Sequence, residues 1–217
     1  MLSTVPLAIV LRTELQRRSV SRVVRTAVTI KSWIARIPSV DEVRPRHCSG
    51  CGAASRPVGG RLAVHGHGLL HRQVRGVLDV QCEPGVFAVS VRRYACRSCG
   101  AVMTVVPAGM LARRLYSASS IALALHLWLV AGLSDREVRG HVCAWRLRGC
   151  NDRGWAQLYR WTRQVTDLLE LPRRVVVTET LHDAARHVLI TLRSLAPVSM
   201  SAAPIALQIF EGAARTR

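Results

Sequence analysis

Two cysteine pairs with the same short spacing are the residues of this sequence best suited to bind a metal. The stretches CSGCG (48–52) and CRSCG (96–100) each hold two cysteines three positions apart, followed directly by a glycine. Such a turn supplies two thiolates from one tight loop, and the glycine helps the backbone to turn back. We therefore predict one structural zinc ion per chain, bound by Cys48, Cys51, Cys96 and Cys99.

A redox pair and a chance occurrence are the alternatives for these cysteines. Neither pair lies at the strand-to-helix junction of a thioredoxin-like unit, which disfavours redox chemistry. The 44 residues between Cys51 and Cys96 exceed the roughly 15–20 of a compact site, yet they can form a β-hairpin or a three-stranded sheet. His65, His67 and Cys82 fall inside this interval. They are expected to be polar residues on the sheet surface or phosphate contacts, and a second metal site is the alternative. Cys143 and Cys150 are expected to be buried apolar residues.

The net charge of +18 arises from 31 basic and 13 acidic residues, and 30 of the basic residues are arginine. A GC-rich genome explains the choice of arginine but not the excess of positive charge. The excess indicates a polyanionic partner, with nucleic acid first and an acidic membrane surface second. Double-stranded DNA is the partner we predict. It is densest over residues 92–163, at +9, and nearly absent over 164–217, at +1.

The sequence also bears on localisation. No signal peptide is evident, and the apolar stretch 118–133 is shorter than the ~20 residues of a membrane span. We therefore expect a cytoplasmic, nucleoid-associated protein without membrane contact.

Periodicity predicts the elements that position these residues. Phe87, Val89 and Val91 alternate with other side chains in a strand that leads into Cys96, after a β-rich run over residues 74–80. The stretch 118–131 is apolar on all sides and predicts a buried helix. Ser134 and Glu137 form a capping box for the next helix.

A third helix is predicted over residues 153–171. Together with the buried helix and the helix that begins at Ser134, it would form a helix-turn-helix unit. Asn151 or Asp152 is expected to cap the third helix, and its polar face carries arginine and glutamine. These side chains read guanine and adenine edges in the major groove, although an ordinary solvated face is the alternative. The interval 143–152 is longer than a usual turn, so either the second helix extends to about Leu147 or a loop is inserted. The predicted DNA contacts are Arg92, Arg93, Arg153, Gln157, Arg160, Arg163 and Gln164.

The arrangement resembles the N-terminal region of insertion-sequence transposases that carry a zinc ribbon followed by a helix-turn-helix. The resemblance lies in HCSGCG (47–52), VHGHGLLHR (64–72), VRRYACRSCG (91–100) and GLSDREV (132–138). It implies that the four cysteines bind zinc, and that Arg92, Arg93 and the helical face contact transposon-end DNA. Ser49 replaces the proline of the family pattern. The 46 residues after Leu171 hold too few carboxylates for a strand-transfer domain, which needs three of them on two metal ions.

These observations predict an α+β protein with a small β zinc ribbon, an all-α helix-turn-helix unit and flanking helices. The expected function is non-enzymatic DNA binding for a mobile element, with a recombinase or transposase as a further partner. A homo-oligomer through the C-terminal helix is also expected. The alternatives are a zinc-ribbon transcriptional regulator, an adaptor that binds protein or RNA, and a nuclease or transposase fragment. The predicted segments are a basic helical segment (1–44), the ribbon (45–110), the helix-turn-helix unit (111–171), an amphipathic helix (172–196) and a flexible tail (197–217).

Overall fold

The computed structural model describes residues 22–144, 155–169, 171 and 180–216, which form an α+β structure with one four-stranded sheet. This confirms the predicted class. The strands are β1 (Arg22–Thr29), β2 (Val64–Gly76), β3 (Gly85–Cys96) and β4 (Val102–Ala108). The helices are α1 (Ile30–Ala35), α2 (Ala118–Leu129), α3 (Asp135–Val142), α4 (Ala156–Leu168), α5 (Leu181–Ser194) and α6 (Ile205–Ala214), with a 3₁₀ turn at Val198–Met200. None of the helices in these ranges has the length and hydrophobicity needed to cross a bilayer.

The sheet has the strand order β1-β4-β3-β2, and β3 runs antiparallel to β4. The predicted strand leading into Cys96 is confirmed by β3, in which Val89 and Val91 are buried. The β-rich run over 74–80 is only partly a strand, because β2 ends at Gly76. That glycine has a left-handed backbone conformation (φ 114°), and an added Cβ there would overlap the Ser120 side chain.

The prediction of a helical segment over residues 1–44 is wrong for residues 22–29, which form strand β1. The segment RVVRTAVT is rich in β-branched residues, which favour an extended backbone when a neighbouring strand is available. Here β4 is that neighbour. The short helix α1 follows directly, with Thr29 as its N-cap. Residues 1–21 lie outside the described ranges.

Contacts divide the chain into two compact units. The knuckle unit, as we call it, comprises the described residues in 22–26, 37–71 and 90–106. The helical unit comprises the described residues in 27–36, 72–89 and 107–216.

Helix α2 lies at the centre of the helical unit and packs against α3, α4, α5 and α6. Its side chains Ile121, Ala122 and Leu125 are fully buried, which confirms the predicted central helix. Beyond its end, Gly132 adopts a left-handed conformation (φ 72°), and the Leu133 amide donates to the Leu127 carbonyl. Burial of α2 on several sides explains why its sequence lacks a polar face.

Helix α3 begins with the predicted capping box: the Ser134 side chain accepts from the Glu137 amide, and the Glu137 carboxylate accepts from the Ser134 amide. The helix ends at Val142, so the alternative of an extension to Leu147 is wrong. Helix α4 starts after Trp155, which caps it without a side-chain hydrogen bond. The predicted caps Asn151 and Asp152 lie outside the described residues. The buried stripe of α4 consists of Leu158, Thr162 and Val165.

The described C-terminal residues, 197–216, do not form the flexible tail that the alanine and serine content of 197–217 predicted. They contain the 3₁₀ turn and helix α6, which packs against α2 and α5. Ile209, Phe210 and Ala213 are buried, and Ser119 of α2 donates a hydrogen bond to the Phe210 carbonyl. The preceding amphipathic helix is confirmed as α5, with Thr180 as its N-cap.

Candidate metal centre

The first cysteine pair lies in a tight turn closed by backbone hydrogen bonds. The Cys48 amide donates to the Ala53 carbonyl, and the Gly52 amide donates to the Cys48 carbonyl, each over 2.9 Å. Gly52 has φ 75°, a conformation that glycine adopts at little cost. A bridge between His47 and Ala54 closes the base of this turn, which we call the first knuckle.

The second cysteine pair repeats this geometry at the tip of the β3–β4 hairpin. The Cys96 amide donates to the Ala101 carbonyl over 3.0 Å, and the Gly100 amide donates to the Cys96 carbonyl over 2.9 Å. Gly100 has φ 71°, and the pair Ala95–Val102 closes the base of this second knuckle. The shared C-x-x-C-G sequence thus folds into the same local structure twice.

The two knuckles bring their sulfur atoms together in an interleaved arrangement. Cys48 Sγ lies 3.6 Å from Cys99 Sγ, and Cys51 Sγ lies 3.8 Å from Cys96 Sγ. All four sulfurs lie within 4.8 Å of one another. Disulfide-bonded sulfurs would be about 2.05 Å apart, so these are separate thiols. Four sulfurs at about 2.3 Å from a tetrahedral ion would be separated by about 3.8 Å, which matches the two short distances. The predicted ligand cluster is therefore present and can hold a metal ion.

The four thiols differ in their environments. Cys48 and Cys96 are buried, Cys99 is half-buried and Cys51 is exposed. Burial raises the pKa of Cys96, but hydrogen bonds from the Cys99 and Ser98 amides outweigh it and lower the pKa to about 7. Burial, with the neighbouring thiols, raises the pKa of Cys99 to about 12. Four thiols this close ionise together only with a cation among them, so the donor set fits a soft metal ion.

Gly50, the middle of the first knuckle, sets how closely the two knuckles approach. A Cβ at this position would lie 2.9 Å from Ala101 Cβ, 3.2 Å from Cys99 Sγ and 3.4 Å from Cys48 Sγ. The Gly50 amide also donates to Cys48 Sγ over 3.2 Å. The corresponding position of the second knuckle is Ser98, so that knuckle accommodates a side chain. Sequence reasoning gave Gly50 no role, because the contact is with the distant second knuckle.

Replacement of Gly50 by alanine is expected to weaken metal binding by about 10- to 100-fold, the usual effect of disturbing residues around a metal's ligands. The added methyl group would push Ala101 and the Cys99 sulfur away from the first knuckle. Competition with a chromophoric chelator measures the affinity. Ser98→Ala is the matched control and should bind metal as the native chain does. Equal affinities of Gly50→Ala and the native chain would contradict this role for Gly50.

No family model, curated protein or solved structure matches this chain. In the described part of the chain, the four cysteines are the only group of three or more His, Cys, Asp or Glu side chains close enough to share a metal ion. His65, His67 and Cys82 do not form such a group.

The other two predicted apolar cysteines are Cys143 and Cys150. Cys143 is buried and accepts a hydrogen bond from the Tyr116 hydroxyl over 3.2 Å, while Cys150 lies outside the described residues.

The knuckle unit has a large excess of positive charge. Its described residues include nine arginines against two carboxylates, Asp41 and Glu42. Asp41 contacts Arg44 at 2.7 Å and Arg56 at 2.6 Å, and the hydrogen bond from Arg44 is the main cause of its lowered pKa. The Glu42 carboxylate accepts from the Ser39 amide. Five of the nine arginines are exposed: Arg22, Arg46, Arg56, Arg61 and Arg97.

Of the predicted DNA contacts in this unit, Arg92 already has a structural contact. Its Nε donates to the Pro38 carbonyl over 2.7 Å, and the neighbouring Tyr94 hydroxyl donates to the Val40 carbonyl over 2.6 Å. These bonds fasten the segment 37–44 to β3. Arg93 is half-buried and pairs with Thr104 across the hairpin. Sequence reasoning missed Arg22, which donates to the Ser49 carbonyl of the first knuckle from a distant part of the chain.

The predicted DNA contacts in the helical unit lie on α4. Arg160, Arg163 and Gln164 are exposed and Gln157 is half-buried, so all four lie away from the buried stripe. The Gln164 side-chain oxygen accepts from Arg114 over 3.3 Å. Arg153 lies outside the described residues. The structure thus places Gln157, Arg160, Arg163 and Gln164 on one accessible side of α4.

Proposed function

We propose that this protein is a DNA-binding protein in which a structural zinc ion joins two knuckles beneath an arginine-rich surface. The observation that carries the proposal is that the unit holding the four-cysteine cluster also holds nine arginines and only two carboxylates. Zinc with four thiolates has a charge of about −2, so the unit stays strongly positive once loaded. A surface of this kind attracts phosphate groups.

Zinc is the metal that the donor set favours. Four cysteine sulfurs spaced for a tetrahedral ion are typical of structural zinc sites, and such a site has no open position for a reacting water. The role proposed for zinc is therefore to hold the knuckles together. We propose a zinc ribbon for this part of the chain.

The helices supply the second half of the proposal. Helices α2, α3 and α4 would act as a helix-turn-helix unit, with Gln157, Arg160 and Gln164 directed at base edges and Arg163 at phosphate. The chain would contribute no catalysis of its own and would serve a recombinase or transposase of a mobile element in the cytoplasm. This last step rests on the resemblance of its cysteine, histidine and arginine motifs to insertion-sequence transposases.

Duplex binding that weakens steeply with salt is the expected result, because each neutralised phosphate releases counterions. Fluorescence anisotropy of a labelled duplex across a salt series measures this slope. Replacing the exposed knuckle arginines Arg46 and Arg97 by alanine should reduce the slope by about two. Arg215→Ala, which removes one exposed arginine of the helical unit, is the control. Absent binding at low salt, or affinity that does not change with salt, would overturn the proposal and favour an adaptor that binds protein.

A further inference from the structure

The connection between β4 and α2 contains an unusual backbone position. Arg113 has φ 56°, and it is the one non-glycine residue with positive φ in the described ranges. Side chains other than glycine adopt this conformation rarely and at a cost, and such positions cluster at functional sites. Arg113 and its neighbour Arg114 are both exposed. We call residues 111–115 the arginine loop.

The arginine loop is fastened at both ends, so its two central arginines are presented from a fixed base. The Leu111 carbonyl accepts from Arg72 Nη2 over 3.2 Å, and the Leu111 side chain is buried. The Leu115 carbonyl accepts from the Arg75 amide of β2 over 2.7 Å. Two anchors four residues apart leave the left-handed turn at Arg113 between them. A loop held in this way loses little conformational entropy when it binds a ligand.

A hydrogen bond joins this loop to the polar side of α4. Arg114 Nη2 donates to Gln164 Oε1 over 3.3 Å. A cleft of about 320 Å³ lies between the two elements and is lined by Leu111, Ala112, Arg114, Gln164, Asp167 and Leu168. Asp167 is the carboxylate in this lining and would repel a phosphate inside the cleft. A polyanion would therefore pass outside it, over the two exposed guanidinium groups.

We infer that Arg113 and Arg114 contact the phosphate backbone of duplex DNA and fix the position of α4 on it. This inference rests on the proposed DNA-binding function and extends it to residues outside the predicted contacts. Backbone contacts beside a reading helix set its register on the duplex, while the helix itself distinguishes bases. Arginine suits this role because its planar guanidinium can donate two parallel hydrogen bonds to a phosphate.

The test compares the native chain with the double variant Arg113→Asn/Arg114→Gln. Asparagine tolerates a left-handed backbone, so the loop should keep its shape. Binding should weaken equally on several unrelated duplex sequences, and the slope of log affinity against log salt should fall by about 1.8, or about 0.9 for each lost phosphate contact. Arg215→Ala, an exposed arginine on a different part of the helical unit, should leave the slope unchanged. Anisotropy across a salt series gives both measurements.

Two outcomes distinguish failure of this inference from failure of the proposed function. If the native chain binds duplex DNA with a steep salt slope and the double variant keeps that slope, the inference is wrong and the proposed function stands. If the native chain does not bind duplex DNA, both fail. Arg114→Gln alone leaves the backbone at Arg113 untouched and must still lower the slope by about 0.9. An unchanged slope for this single variant also overturns the inference, even if the double variant does not fold.

Discussion

Replacement of Cys96 by serine is expected to abolish stoichiometric metal binding. Cys96 is buried, and its sulfur lies 3.8 Å from that of Cys51. A serine hydroxyl does not replace a thiolate as a zinc ligand, so three sulfurs would remain around the ion. Affinity should fall at least about 1,000-fold, which is about 4 kcal/mol out of the roughly 10–16 kcal/mol of a structural zinc site. Zinc content per chain after dialysis measures the loss.

Cys143→Ser is the matched control for this experiment. Cys143 is also buried, but it lies outside the cluster and its sulfur accepts a hydrogen bond from Tyr116. This variant should retain one zinc ion per chain. Cobalt substitution gives a second readout, because thiolate coordination produces charge-transfer absorption that the Cys96→Ser chain should lose. One tightly bound zinc per Cys96→Ser chain would refute the assignment of Cys96 as a ligand.

Replacement of Gly212 by alanine is expected to destabilise the helical unit by about 3 kcal/mol or more, at the upper end for an overpacked core. Gly212 is buried in α6, and a Cβ there would overlap the backbone carbonyl of Leu192 at the end of α5. The obstacle is main chain, so no change of rotamer relieves it. The two helices would have to separate, which would expose Leu192 and Ile209 to water. Urea denaturation monitored by circular dichroism gives the free energy of unfolding.

Gly140→Ala tests whether the position or the residue type causes this effect. Gly140 lies in helix α3, and a Cβ there meets no atom within 4 Å. Alanine has the higher helix propensity, so this variant should gain up to about 1 kcal/mol. A similar free energy of unfolding for both variants would show that α6 does not pack against the Leu192 carbonyl as described.

The features that could be predicted from the sequence are those encoded by neighbouring residues. Both knuckles are closed by hydrogen bonds within six consecutive residues, 48–53 and 96–101, and the capping box at Ser134 and Glu137 needs four. The four-cysteine cluster could be predicted because each turn supplies two thiolates, and a tetrahedral metal ion needs four. The buried helix α2 was likewise evident from its uninterrupted apolar sequence.

The features that could not be predicted depend on partners far along the chain. Strand β1 has interleaved arginines and valines that suit a helix face equally well, and its neighbour in the sheet decides the outcome. Helix α6 follows a serine-rich stretch with prolines at 197 and 204, which suggests loops, and its packing against α2 and α5 brings together segments distant in the sequence. The contacts of Gly50 with Cys99 and of Arg22 with Ser49 join distant segments, so no local pattern reveals them.

The matching geometry of the two knuckles has a consequence for folding kinetics. Each knuckle is a short-range turn of the kind that forms in microseconds. Joining them requires closure of the 44-residue interval between Cys51 and Cys96, whose entropic cost must be met before the second pair of sulfurs can bind. A metal ion held first by one pair would lower the barrier to docking of the other. Metal capture would thus proceed in two stages, and the second would set the rate at which the knuckle unit matures.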